Sequence, residues 1–140
     1  MQVIITNREL LNMFEAIKRA ADSKVGLKLA YALAKNMKRI EGDCQALTEQ
    51  IQKRRQVIVE ELAIHDDAGT LTVKDNQYQF TPENRKVFDA RMADLQKEVD
   101  ELLAMEVTVE LHQVVLGQFP EQIEPWIIKG LFPMIDEAGE

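Results

Sequence analysis

The strongest constraint on this chain is an apolar repeat that runs from Leu29 to Leu62 without a proline. Leu29, Leu33, Met37, Ile40, Cys44, Leu47, Ile51, Ile58 and Leu62 fall three, four or seven residues apart, which lines one side of an α-helix. At a rise of 1.5 Å per residue, about 37 residues from Leu27 span on the order of 55 Å. Gly42 lies off the stripe and costs about 1 kcal/mol relative to alanine, so it marks a kink or a close contact. Arg54 and Arg55 stand in the seam between Ile51 and Ile58.

A second repeat answers the first. Thr81-Pro82-Glu83 reads as a helix start, with Thr as N-cap and Pro at the first position. Phe88, Met92, Leu95, Val99 and Leu102 then follow at heptad spacing. Upstream, Thr6 and Glu9 fit a capping box, and Leu10, Phe14, Ile17 and Ala21 give the next helix its apolar face. Between the repeats, His65-Asp66-Asp67-Ala68-Gly69 and Lys74-Asp75-Asn76-Gln77 are turn chemistry flanking short alternating runs. Val3–Ile5 and Val107–Leu111 are β-branched segments that can pair.

The expected fold is mainly α (α+β): a long antiparallel helical hairpin, or three-helix rod, with a β-hairpin at the tip and a small strand pair near the middle. A single domain over 1–140 would carry a strand at 2–5, helices at 7–21 and 27–63, and a β-hairpin at 70–80. A helix at 82–105, a strand at 107–112 and a short C-terminal helix at 124–130 would follow. Length matching places the first and third helices antiparallel to the long one, one on each half, meeting end to end near Ile40.

Bulk properties narrow the function. The chain is 46% hydrophobic and 29% charged, as a globular domain is. No run reaches the roughly 18 apolar residues of a membrane span, and the start lacks the marks of a signal peptide. One cysteine forms no internal disulfide, which suits a reducing cytoplasm. The net charge of −7 conceals an asymmetry, +5 over Arg8–Ile58 and −12 from Val59 onward. An acidic total argues against nonspecific nucleic-acid binding. The basic tract Lys35, Lys38, Arg39, Lys53, Arg54 and Arg55 is expected to pair with Asp89, Asp94 and Glu98 of the acidic helix.

No residue pattern carries catalysis, a cofactor or a metal. Asp66, Asp67 and Asp75 do not meet the calcium-loop spacing. Cys44 sits on the apolar stripe, about five helical turns from His65. The clustered acids Glu98, Asp100, Glu101 and Glu106 lack a cleft that would shift their pKa values. The candidate partner surface is therefore the apolar tail, Trp126, Ile127, Leu131, Phe132 and Met134, with the tip residues Asp66, Asp67 and Tyr78. The competing reading of the tail is that it closes the core.

Tyr31-Ala-Leu-Ala-Lys-Asn-Met-Lys-Arg-Ile-Glu41 resembles a family of small helical proteins encoded by tailed phages and prophages. Asp67-Ala-Gly-Thr-Leu71, Glu101-Leu-Leu-Ala-Met-Glu-Val-Thr-Val-Glu-Leu111 and Leu131-Phe-Pro-Met-Ile135 fit the same layout, over roughly residues 27–135. The resemblance implies a product acting in the bacterial cytoplasm and supplies no catalytic residues. It points to a non-enzymatic accessory protein that binds a host or phage protein stoichiometrically, as an assembly factor or as an inhibitor of a host or defence complex. The alternative is an acidic nucleic-acid mimic that blocks a DNA- or RNA-binding protein. Direct nucleic-acid or membrane contact is not expected, and homo-oligomerisation, for instance through Gly42, is left open.

Overall fold

The computed structural model describes residues 1–136, so the last four positions of the expected 1–140 domain lie outside the described residues. The chain is mainly α with small strand pairs, the class the periodicity predicts. It divides into two compact units: Met1–Ala46 together with the segment from Leu103, and Leu47–Leu102.

In the first unit, β1 (Gln2–Thr6) runs straight into α1 (Asn7–Ala21). The capping box forms as the Thr6/Glu9 spacing requires. Thr6 Oγ1 accepts from the Glu9 amide at 3.1 Å, and Glu9 Oε1 accepts from the Thr6 amide at 3.1 Å. β1 pairs antiparallel with β4 (Glu106–Glu110), in a register from Gln2 opposite Glu110 to Thr6 opposite Glu106. The first half of α2 (Leu27–Leu62) begins on Gly26, whose carbonyl accepts from the Ala30 amide at 2.9 Å. It buries Leu29, Ala32, Leu33, Asn36, Ile40 and Cys44. Cys44 reaches the backbone oxygen of Leu10 on α1 at 3.7 Å, which fixes one face of α1 against α2.

α4 (Pro125–Leu131) covers α1 from a second direction. That double cover corrects the expected apolar face of α1. The buried set is Leu10, Met13, Ala16, Ile17 and Ala20, whereas Ala21 is exposed and Phe14 half-buried with the Lys18 ammonium 4.8 Å above its ring. A helix sandwiched from two directions buries a wider stripe, small residues included, than a single 4-3-4 ridge describes. A parallel pair that the sequence does not suggest, β5 (Val114–Val115) beside β6 (Ile135–Asp136), ties down the tail.

In the second unit, the C-terminal half of α2 lies beside α3 (Pro82–Ala104). Asn84 Nδ2 donates to the Leu62 carbonyl at 3.2 Å, and Arg91 pairs with Glu61, so the two segments run antiparallel. Thr81 caps α3, its Oγ1 accepting from the Asn84 amide at 3.2 Å. Between them, β2 (Val73–Lys74) and β3 (Gln77–Tyr78) form a hairpin closed by Asp75 and Asn76, both with positive φ. A two-residue turn of that hand matches the twist of the strands, and Asp and Asn tolerate it best after glycine. Gly42 neither breaks α2 nor permits a close approach: the helix runs through it, and a Cβ there would meet nothing within 4 Å. Of the kink or close contact expected at Gly42, no close contact is found among the described residues.

Candidate protein-binding surface

The tail is short and its chemistry explains how it is held. Glu124 precedes α4 and Pro125 opens it, where a missing amide proton costs nothing. Glu124 also anchors the turn sideways, accepting from Trp126 Nε1 at 2.6 Å and lying 3.5 Å from Arg19. Four residues apart on one side of α4, Ile127 and Leu131 enter the core, at 2% and 0% exposure. Trp126 and Phe132 stay out, at 47% and 53%. Gly130 is the reason α4 can lie so close to α1. A Cβ at that position would stand 2.7 Å from the Ala16 Cβ and 3.2 Å from the Asn12 carbonyl oxygen.

The apolar tail therefore splits. Ile127, Leu131 and Met134, proposed from sequence as partner surface, belong to the core, and that reading is corrected for them. Trp126 and Phe132 remain exposed and flank an open groove of about 450 Å³ between α1 and the tail. Its other lining residues are Glu9, Asn12, Glu15, Lys129, Gly130 and Pro133. Glu15 is paired with Lys18 at 3.1 Å and the Glu9 carboxylate accepts from the Thr6 amide and hydroxyl in the cap of α1, so both acids of the groove are engaged beside an aromatic rim.

The tip residues are placed differently. Asp66 is consumed by its own turn, with one carboxylate oxygen accepting from the amides of Ala68 and Thr70, both at 2.9 Å. Gly69 completes that turn with φ of +79°. Asp67 and Tyr78 are exposed. Among the described residues no group of three His, Cys, Asp or Glu is placed to hold a metal ion.

Asn36 is the residue the stripe concealed. It lies three positions after Leu33 and four before Ile40, so it falls on the buried side of α2, and it is fully buried. Its Nδ2 donates to the His112 carbonyl at 2.8 Å, and its Oδ1 accepts from the His112 amide at 2.7 Å. The Met134 Sδ lies 3.4 Å from Nδ2. One polar side chain thus satisfies the backbone just beyond β4 and touches the tail. A polar residue in register with the apolar repeat was the available signal. The rings of His112 and Tyr31 meet at nearly a right angle, with centroids 5.7 Å apart.

Cys44 is enclosed. Burial first, then the carboxylates of Asp43 and Glu15, push its thiol up to about 11. That is the opposite of what a thiolate nucleophile needs. In the second unit, side-chain hydrogen bonds from Gln56 and then His65 hold the exposed Glu60 carboxyl below its ordinary range.

The expected pairing of the basic tract with the acidic helix does not form. Asp89 pairs with Arg85 on its own helix at 3.3 Å, while Arg39 donates to the Glu110 carbonyl at 3.3 Å. Lys53, Arg54, Arg55, Asp94 and Glu98 make no ion pair among the described residues. Exposed charges gain too little from pairing to outweigh the ordering of two long side chains. No protein family, curated protein or solved structure matches the chain.

Proposed function

We propose that this protein is a non-enzymatic accessory factor that acts by stoichiometric binding to another protein, through the groove between α1 and the tail. The observation that supports this reading is the split of the tail. Its aliphatic residues fill the core, yet its two largest aromatics, Trp126 and Phe132, are left about half exposed on the rim of a groove. Large aromatics at the edge of a concave surface are the residues that most often dominate protein interfaces. Gly130 and the Trp126–Glu124 hydrogen bond hold that rim in a preorganised geometry, which lowers the entropy lost on binding.

The resemblance to phage and prophage products supplies the setting, a bacterial cytoplasm and a host or phage partner. The role there is as an assembly factor or as an inhibitor of a host or defence complex. Burial and the carboxylates of Asp43 and Glu15 keep the Cys44 thiol protonated, so Cys44 offers no thiolate nucleophile.

Affinity capture from bacterial lysate with the intact chain, compared with Trp126→Ala/Phe132→Ala, tests the proposal. The wild type retains one protein in about 1:1 ratio and the double variant, still folded by circular dichroism, loses it. Identical capture by both chains refutes the groove. Binding that collapses steeply with added salt, yet ignores both aromatics, replaces this reading with acidic mimicry of nucleic acid.

A further inference from the structure

The second unit is an incomplete core. Between Leu47 and Leu102 the buried apolar residues are Ile58, Val59, Ala63, Leu95 and Val99, all at 6–8% exposure. The first unit instead closes many of its side chains to 0–1%. Two helices side by side bury one stripe each and leave the faces above and below the pair to water. On one face of this pair, two adjoining hollows share Arg54, Leu95 and Glu98 and so make a single groove along the helices. Its apolar lining is Ile51, Val57 and Ile58 from α2 with Leu95, Val99 and Leu102 from α3. Val57 is 51% exposed.

The charges along this groove have a definite layout. Arg54 stands on the α2 side, Asp94 and Glu98 on the α3 side, and none of the three has an ion-pair partner among the described residues. Arg91, the other cation at the groove, is already committed to Glu61. A face with one basic and one acidic wall is complementary to itself under one rotation. Turned about a two-fold axis parallel to the helices, a second copy lays its α2 over the first copy's α3. Arg54 then faces Asp94 and Glu98 of the other chain, twice. A two-fold axis across the helices would instead oppose Arg54 to Arg54 and acid to acid. The permitted rotation also leaves every neighbouring helix antiparallel, as in an up-and-down four-helix bundle.

We propose that this groove is the dimer interface of the protein: two copies join their α2–α3 pairs into a four-helix bundle, with Arg54 of each chain paired to the Asp94/Glu98 wall of the other. The apolar floor contributes the affinity and the charges choose the axis. None of these residues lines the groove of Trp126 and Phe132, so the dimer stands or falls apart from the proposed partner binding.

Mass measurement of the intact chain by sedimentation equilibrium, with two charge-reversed variants, tests it. Wild type is a dimer. Arg54→Glu alone places acid against acid, and Glu98→Arg alone places base against base. Each raises the dissociation constant by about tenfold or more. Mixing the two variants restores a heterodimer. One of its contacts pairs the introduced acid with the introduced base, and the other keeps Arg54 against Glu98. Repulsion within one chain cannot be relieved by mixing. Val57→Lys, at a position already half exposed in the single chain, keeps the helical signal and also weakens the dimer. A wild type that stays monomeric at every concentration overturns the proposal. So does a dimer indifferent to all three variants, or a pair of variants that fails to recombine on mixing.

Discussion

The two units are built from the same kind of helix yet reach different degrees of closure. α2 runs through both, with an apolar residue every three or four positions along most of its length. Over Leu29–Cys44 that stripe is buried at every position but Met37, which is half-buried. Over Leu47–Ile51 it is only half-buried, and burial resumes only at Ile58. The difference lies in what is available to cover it. In the first unit α1 is itself backed by α4, and the β4–β5 segment is bonded to Asn36. In the second unit a pair of helices has only each other and a small hairpin. A regular apolar stripe therefore specifies a helix with a sticky side. How dry that side becomes is set by how many layers are stacked on it.

Matched truncations break or sharpen this comparison most directly. Leu131→Ala removes a fully buried side chain from the first unit and lowers unfolding free energy by about 2–5 kcal/mol in urea. Leu62→Ala, at a half-buried position of the second unit, costs about 2 kcal/mol or less. Equal losses would mean that both units are closed alike.

Alkaline titration gives the next largest effect. The Cys44 thiol is raised from 9.0 to about 11 in the folded state, so the unfolded chain gives up this proton first. Stability from this group is full below pH 9 and is lost as pH rises towards 11. The wild type should lose on the order of 2 kcal/mol more than Cys44→Ala over that interval. Parallel stability curves for the two proteins would show that the first unit admits solvent at Cys44.

The smallest effect belongs to the second unit. Asn84→Ala deletes the hydrogen bond to the Leu62 carbonyl at a partly exposed site, where water can replace it. It should cost about 0.5–1.5 kcal/mol and speed amide exchange within Leu47–Leu102 before it does so at Leu29–Ile40.

Much of the fold was legible because local rules and the apolar pattern agree. Thr6 with Glu9 and Thr81 with Pro82 start helices where the backbone needs those side chains. Asp75-Asn76 turns the hairpin because those residues accept positive φ. The pairing of β1 with β4 was expected because matched helix lengths bring two short β-rich segments side by side, and the two strands do pair. The candidate surface was only half legible. The large apolar side chains crowded into the tail announce a cluster, but nothing local says which of them turn inward. Trp126 and Ile127 are adjacent, and one is half exposed while the other is buried.

By itself, the sequence placed the four α-helices to within a residue at each end, and showed that the chain carries more apolar surface than one pair of helices covers. Periodicity and capping act within a few residues, so they are written locally. Only the tertiary structure decided that Asn36 bridges to His112, that Gly130 admits α4 against Ala16, and that Trp126 and Phe132 stay at the surface. Those outcomes depend on contacts between residues far apart in the chain, where the close fit of one side chain excludes water from another.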